Sequence, residues 1–283
     1  MKKILVTGGA GFIGSNLLKS LVELNHKLFS LDNYSTGQKK NEINGVEYIE
    51  DDIINIENII NKFDICFHLA AQSRVQPSFK NPEESFLVNA FGTSKVMEWA
   101  RINNTKIIYA GSSSKHHNPS DSPYAMYKFL GEEICKLYRK SFNVNVEIAR
   151  FYNVYGPGEN IDEVYGNVIG IWRSKIAKGE HLPIIGDGEQ KRDFIHVYDL
   201  VDGLLKIAFS ELTHDDAWEL GTGINYSINS VFGFFKERFN ASSIYLPDQK
   251  GNYRETLREN DDSIKLLGWK PKDRLKDHIN NFK

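Results

Sequence analysis

The chain has only two cysteines, Cys66 and Cys135, in 283 residues. Cys66 lies in a strand-like apolar run and Cys135 in a helix-like stretch, so both read as core thiols and no disulfide framework is expected. A reducing, cytoplasmic setting follows as the expectation. There is no apolar run of membrane-spanning length and no signal-peptide core, so no membrane association is expected. The first apolar run begins almost at residue 1, so no targeting segment is expected. Neither sign of charge is in large excess. The net charge of −2 removes any electrostatic reason to expect a nucleic-acid partner. Repeats, coiled-coil heptads and low-complexity tracts are missing too. His116 and His117 are adjacent, but no carboxylate or cysteine stands at ligand spacing, so no metal is expected.

What is present is an alternation of strand and helix patterns. Apolar strand runs at 2–7, 27–31, 46–49, 64–69, 106–110 and 144–149 alternate with helix-like stretches at 15–24, 56–63, 83–102 and 124–142. This order predicts an α/β fold with a Rossmann-type, doubly wound parallel sheet over residues 1–150. After Arg150 glycine-rich turns punctuate shorter elements, with helices expected at 169–178, 198–209, 227–239 and 261–267. Residues 151–283 are expected to form mainly a smaller, substrate-binding lobe, with some segments returning to the first domain. A cleft between the two is the expected ligand site.

The first strand runs directly into Gly8-Gly9-Ala10-Gly11-Phe12-Ile13-Gly14, and a helix pattern follows. Glycine turns alone are common loops. Between a strand and a helix, Gly8, Gly11 and Gly14 fit a dinucleotide cradle: the turn brings backbone close to a pyrophosphate, and the helix start offers free N–H groups. The second strand ends at Asp32. A carboxylate there can accept hydrogen bonds from ribose hydroxyls and repels a 2′-phosphate, which favours NAD over NADP. Asp52, after the third strand, has two equal readings: a contact to adenine, or the N-cap of the next segment.

The strand at 106–110 ends in Gly111-Ser112-Ser113-Ser114, and Tyr124 and Lys128 follow one helical turn apart. A lysine ammonium beside a phenol lowers the phenol's pKa. Such a tyrosine can take a hydroxyl proton while a nicotinamide takes hydride from the same carbon. A serine hydroxyl from this run can relay the proton or hold the substrate oxygen.

With these residues the chain resembles the extended short-chain dehydrogenase/reductase superfamily, and within it the nucleotide-sugar epimerases of the UDP-glucose/UDP-galactose 4-epimerase type. The matching stretches are the glycine turn, Leu31-Asp32-Asn33, His68-Leu69-Ala70-Ala71-Gln72, Asn89-Ala90-Phe91-Gly92-Thr93, Ser122-Pro123-Tyr124 with Lys128, Arg150 through Pro157, Gly186-Asp187-Gly188 with Arg192 through Val197, and Leu267 through Pro271. They cover essentially the whole chain. The resemblance implies that Gly8, Gly11, Phe12, Ile13 and Gly14 hold the pyrophosphate of NAD. It places Asp32, Asn33, Asp52 and Ile53 at adenosine, and Leu69, Ala70, Ala71 and Asn89 along the cofactor cleft. Tyr124 becomes the base and Lys128 the ligand of the nicotinamide ribose. Ser112 becomes the catalytic hydroxyl, with Ser113 second. Asn153 and Arg192 bind the substrate diphosphate, joined by Arg254 in preference to Lys250 or Arg258. A homodimer packed through the helices at 83–102 and 124–142 is implied as well. One departure from the family is plain. The loop between Ser112 and Tyr124, which often roofs the sugar, is shortened here, and His116 and His117 are expected to be exposed in it.

The resemblance also discriminates among reactions. The 4,6-dehydratases of the superfamily carry an Asp-Glu pair just after the catalytic hydroxyl, and the decarboxylases a Glu. Here Ser113-Ser114 stand there. The expectation is therefore an isomerase of the EC 5.1.3 type, inverting C4 of a UDP-hexose through a 4-keto sugar. A nucleotide-sugar reductase, a nucleotide-heptose 6-epimerase and a non-catalytic dinucleotide-binding module are the alternatives.

Overall fold

The structure, a computed structural model, describes residues 1–282. In chain order its main elements are β1 (Lys3–Thr7), α1 (Phe12–Val22), β2 (Lys27–Asp32), β3 (Val46–Glu50), β4 (Ile65–His68), α2 (Val75–Lys80), α3 (Pro82–Phe86), α4 (Thr93–Asn103), β5 (Lys106–Ser112), α5 (Pro123–Phe142) and β6 (Val146–Phe151). They continue with β7 (Asn153–Tyr155), α6 (Val168–Lys178), β8 (Leu182–Ile185), β9 (Lys191–His196), α7 (Val197–Phe209), β10 (Trp218–Leu220), β11 (Asn225–Ser227), α8 (Ile228–Phe239), β12 (Ser243–Leu246), α9 (Asp262–Leu267) and α10 (Leu275–Asn280). Backbone contacts divide the chain into two units, residues 1–150 with 201–218, and residues 151–200 with 219–283.

The first unit is built on a seven-stranded sheet of order β10-β6-β5-β4-β1-β2-β3. The β3–β2–β1–β4–β5 pairs are all parallel. The inner strands are mostly apolar because both faces are covered. Ile65 to His68 are all buried, and Leu5, Phe29, Cys66, Ile107 and Ile148 pack in one core with Val96 and Trp99 of α4 and Cys135 of α5. Both cysteines are free and buried there, as the sequence implied. Strand order reverses between β1 and β4. In an open parallel sheet that switch point, at the carboxyl ends of the strands, is where a ligand crevice forms.

Two elements differ from expectation. No α-helix forms over 56–63. Asp52 instead caps one 3-10 segment, Ile53–Asn58, and the chain then extends into β4. Ile53, Ile56 and Phe63 are buried as separate core contacts rather than as one helical stripe. The long helix at 83–102 is continuous but not uniformly α-helical: Leu87–Gly92, between α3 and α4, winds as a π-helix. That wider turn presents Asn89 inward, and Gly92 makes room for Ile53, whose Cδ1 would lie 2.5 Å from an added Cβ.

The second unit packs α6, α8 and α10 around Tyr155, Trp172, Ile184, Phe194, Val231, Phe235 and Ile279. Its strands form β11-β9-β7 and β12-β8 sheets. Among the described residues, no helix is long and apolar enough to cross a membrane.

Candidate active site

The glycine turn is held by backbone contacts that leave no room for side chains. Gly8 has φ +74°, donates its N–H to Leu31 O at 2.8 Å, and would place a Cβ 2.9 Å from Ala70 N. Gly14, inside α1, would place one 2.2 Å from Gly8 O. Gly11 is the N-cap of α1. No side chain caps this helix, and no acid lies in its first turn. The amides of the first turn, Phe12 and Ile13 included, therefore remain available for an anion. The cradle fits a dinucleotide pyrophosphate.

Asp32 ends β2 and is buried. Its Oδ2 accepts Ala10 N–H and its Oδ1 accepts Tyr34 N–H, both at 2.8 Å. Burial pushes its pKa up, and these two bonds work against the rise. A carboxylate with one bond on each oxygen keeps acceptor capacity for a vicinal diol. Asn33 donates to Asp52 Oδ2 at 2.7 Å, while Asp52 Oδ1 accepts Ile54 N–H at 3.0 Å. The cap reading of Asp52 is thus realised in the geometry, and Asn33 is brought to it. Ile53 points its side chain into the core, which leaves its backbone as the part able to meet a ligand.

Leu69, Ala70 and Ala71 follow β4 and are partly exposed, with Ala70 N–H donating to Thr7 Oγ1 at 3.2 Å. Asn89 is fully engaged within the protein: its amide donates to Gln72 O and accepts Gln72 N–H, both at 3.0 Å. It shapes the cleft wall by clamping the backbone of Gln72. His68 was not assigned a role from sequence. Its ring bridges Thr7 Oγ1 (2.9 Å) and Thr93 Oγ1 (3.2 Å), tying the ends of β1 and β4 to α4. Burial, aided by the Lys128 charge, lowers its pKa to about 3, so the ring is neutral.

Tyr124 is placed by the start of α5. Ser122 caps the helix through Ala125 N–H at 3.1 Å, and Pro123 occupies the first turn. The Tyr124 hydroxyl donates to Ser112 Oγ at 3.4 Å. Ser112 Oγ also accepts Ser114 N–H (3.2 Å) and the Ser114 hydroxyl (2.9 Å). Of the two serines singled out, Ser112 is the one at the phenol, and Ser114 orients it. Lys128 is 4% exposed, donates to Ala110 O at 2.5 Å, and lies over the Tyr109 ring. Burial lowers its pKa to about 8, against the pull of Glu132. The expected lowering of the Tyr124 pKa is not what the structure gives. Burial raises it, with Ser112 and Arg74 pulling the other way.

Beneath Ser112 lies a charged group that the sequence reading passed over. Glu132 Oε1 accepts Ser112 N–H at 3.3 Å. Arg150 grips Glu132 Oε2 through Nε (3.0 Å) and Nη2 (2.9 Å) and holds Asp216 with Nη1 (2.7 Å) and Nη2 (2.9 Å). Removing one partner of such a buried pair typically costs about 3–5 kcal/mol. A charged residue one turn after Lys128, and an arginine near the end of β6, were its visible signals. The shortened loop folds as two 3-10 turns, Ser113–His116 and Pro119–Asp121. Lys115 ties it to α5 through Glu133 at 2.7 Å. His116 is exposed and His117 half-buried.

In the second unit, Asn153 on β7 donates to Asp193 O (3.1 Å) and Thr256 Oγ1 (3.2 Å). Arg192 on β9 donates to Asn252 Oδ1 at 2.6 Å, and burial lowers its pKa to about 10. Residues 254–256 run beside β9, with Lys191 N–H on Arg254 O at 2.9 Å and Asp193 N–H on Thr256 O at 3.0 Å. Arg254 thereby lies at the same edge as Arg192, exposed and paired with Asp187 at 2.9 Å. Arg258 is buried and spends its guanidinium on Gly221 O, Thr222 O, Asn260 O and Asp261. Its guanidinium is engaged within the protein.

Comparison with known proteins bears on this geometry. The model of the NAD dependent epimerase/dehydratase family matches residues 4–221. A putative UDP-glucose 4-epimerase of Methanocaldococcus jannaschii is 34% identical over 297 residues, covering 98% of this chain and 95% of its own. UDP-glucuronic acid decarboxylase 1 of Xenopus tropicalis is 27% identical over 301 residues, covering 99% of this chain and 70% of its own. The crystal structure of UDP-glucose 4-epimerase with UDP-glucose from Thermotoga maritima superposes with a TM-score of 0.92 at 27% identity, covering 99% of this chain and 97% of that one.

Proposed function

This chain belongs to the NAD dependent epimerase/dehydratase family, and from that premise we propose that it is a 4-epimerase inverting C4 of a UDP-hexose through a transient 4-keto sugar. Its cofactor is NAD, which supplies reversible hydride acceptance when bound. The reading is carried by one arrangement: the Tyr124 hydroxyl on Ser112 Oγ, with serines at 113 and 114 where dehydration or decarboxylation calls for carboxylates.

The chain's own residues then act as follows. The Tyr124 oxygen takes the proton of the sugar O4 and later returns it. Ser112, turned by Ser114, holds that oxygen within reach of the phenol. Lys128 favours negative charge on the phenol and binds the ribose beside it. Asn153, Arg192 and Arg254 hold the diphosphate, for which the planar guanidinium fork is suited. Holding the diphosphate while the sugar turns over allows hydride return to the opposite face.

The test is incubation of the purified protein with a panel of nucleotide sugars, without added cofactor, followed by NMR of the anomeric protons. Conversion of a UDP-hexose to its C4 epimer is the expected result. Conversion only with NADPH would replace the reading with a reductase. No turnover at all, with or without NAD, would replace it with a non-catalytic dinucleotide module.

The same reading includes a homodimer formed through α3–α4 and α5. It is supported by the exposed apolar side chains Phe86, Leu87 and Phe91 and, on α5, Leu137. Sedimentation at micromolar concentration is expected to show a species of twice 32.3 kDa. A single species of monomer mass would end this part of the reading.

A further inference from the structure

We propose that Glu132 is a positioning residue for the reaction: its buried carboxylate holds the backbone of Ser112 and supplies the negative charge that balances the buried Lys128 ammonium. The proposal rests on the roles given above to Tyr124, Ser112 and Lys128.

The geometry starts from α5. Tyr124, Lys128 and Glu132 are spaced four apart and share one face of the helix. Lys128 and Glu132 are both buried. The titratable and charged groups around Lys128 are Tyr124, Glu132 and Cys135 on its own helix, Tyr109 on β5 and the neutral His68 on β4. Within that set the carboxyl group is that of Glu132, paired with Arg150. An ammonium in such surroundings has little solvent to stabilise it, so a fixed carboxylate on the same face decides how firmly it keeps its proton.

Glu132 is itself fixed for the task. Gly111 opens the path, since a Cβ there would lie 2.7 Å from Glu132 Oε1. The carboxylate can therefore reach the Ser112 N–H, whose residue carries the hydroxyl next to the phenol. Arg150 grips the other oxygen, Asp216 grips Arg150, and Lys136 meets Asp216 at 2.6 Å. The result is an alternating row of charges: Lys128, Glu132, Arg150, Asp216, Lys136. Arg150 is shared by two carboxylates, which leaves Glu132 with negative charge to offer Lys128.

A merely structural staple between α5 and β6 would lower stability, and rate at every pH alike. A positioning role gives a pH signature. Lys128 acts as the ammonium, which is lost as pH rises through its midpoint. Removing the Glu132 charge lowers that midpoint, so the alkaline limb of the activity profile moves to lower pH.

The test follows the Lys128 side chain by NMR of protein carrying 13C at lysine Cε, assigned with Lys128→Arg, in the absence of substrate. In the native protein Lys128 is expected to titrate at about pH 8. Glu132→Gln keeps an acceptor for Ser112 N–H but loses the charge. Its Lys128 midpoint is expected to fall by about one pH unit. The alkaline limb of kcat should move with it and KM should change little. An unchanged midpoint in folded Glu132→Gln protein overturns the proposal. Should that variant fail to fold, Glu132→Gln/Arg150→Met is compared with Arg150→Met alone, and an equal Lys128 midpoint in the two overturns the proposal. The titration needs no substrate, so it decides this inference even if no nucleotide sugar is epimerised, an outcome that would count against the proposed function instead.

Discussion

Tyr124→Phe is expected to slow C4 inversion by about 10²–10⁴-fold, the range associated with a positioned general acid–base group, while NAD binding stays close to native. The ring is retained, so packing at the start of α5 is preserved. Ser122 still caps the helix, and Tyr124 N–H still bonds Ser78 Oγ at 3.0 Å. What is lost is the one oxygen at Ser112 that can take the O4 proton. Ser112 cannot replace it, because an alkyl hydroxyl is far too weak an acid to hold charge at neutral pH, whereas a phenol is not. Burial raises the Tyr124 pKa in the protein alone. Bound NAD would bring a cationic ring beside Lys128, and together these charges would favour the phenolate. Turnover by anomeric NMR, read beside an NAD titration by fluorescence, checks both halves. A variant retaining more than a tenth of the native rate would remove Tyr124 from the proton-transfer role.

How much of this was legible in the residues divides by range. The glycine turn, Asp32 after β2, and Tyr124 with Lys128 are local patterns, and each carries its geometry in its spacing. The strand–helix alternation likewise led to the parallel sheet, because buried parallel strands read as continuous apolar runs. What failed depends on contacts between distant segments. Residues 56–63 look helical by spacing, but Ile56 and Phe63 are drawn separately into the core, and Ile60 is left exposed. The π-helical turn at Leu87–Gly92 is set by Asn89 clamping Gln72, 17 residues away. Counting apolar positions cannot see a turn widened for such a bond. The direction of the Tyr124 shift is set by burial, which spacing along one helix does not report. His68 and Glu132 escaped because a buried polar residue in a core run has meaning only through its partners, Thr7 and Thr93 in one case, Ser112 and Arg150 in the other.

Gly14→Ala is expected to weaken NAD binding by about 10–100-fold without unfolding the protein. The added methyl would lie 2.2 Å from Gly8 O and 2.7 Å from Gly9 Cα. Both are backbone atoms, and neither can swing aside as a side chain would. Gly8 has little freedom to yield, since it sits at φ +74° with its N–H on Leu31 O and its Cα face against the backbone of Ala70. Relief comes only if α1 backs away from the turn or the turn opens. Local strain of this kind costs about 1–3 kcal/mol, and each 1.4 kcal/mol taken from binding is about tenfold in affinity. The loss is expected to fall on NAD because the displaced part is the start of α1, whose uncapped amides would hold the pyrophosphate. Gly233→Ala is the matching control. It lies on the exposed side of α8, where a Cβ meets nothing within 4 Å, and it should raise stability by about 0.4–1 kcal/mol and leave NAD affinity alone. Calorimetric titration of both variants separates helix propensity from the cradle. Native NAD affinity in Gly14→Ala would mean that the pyrophosphate does not rest on this turn, and the placement of the cofactor along Asp32 and Lys128 would fall with it.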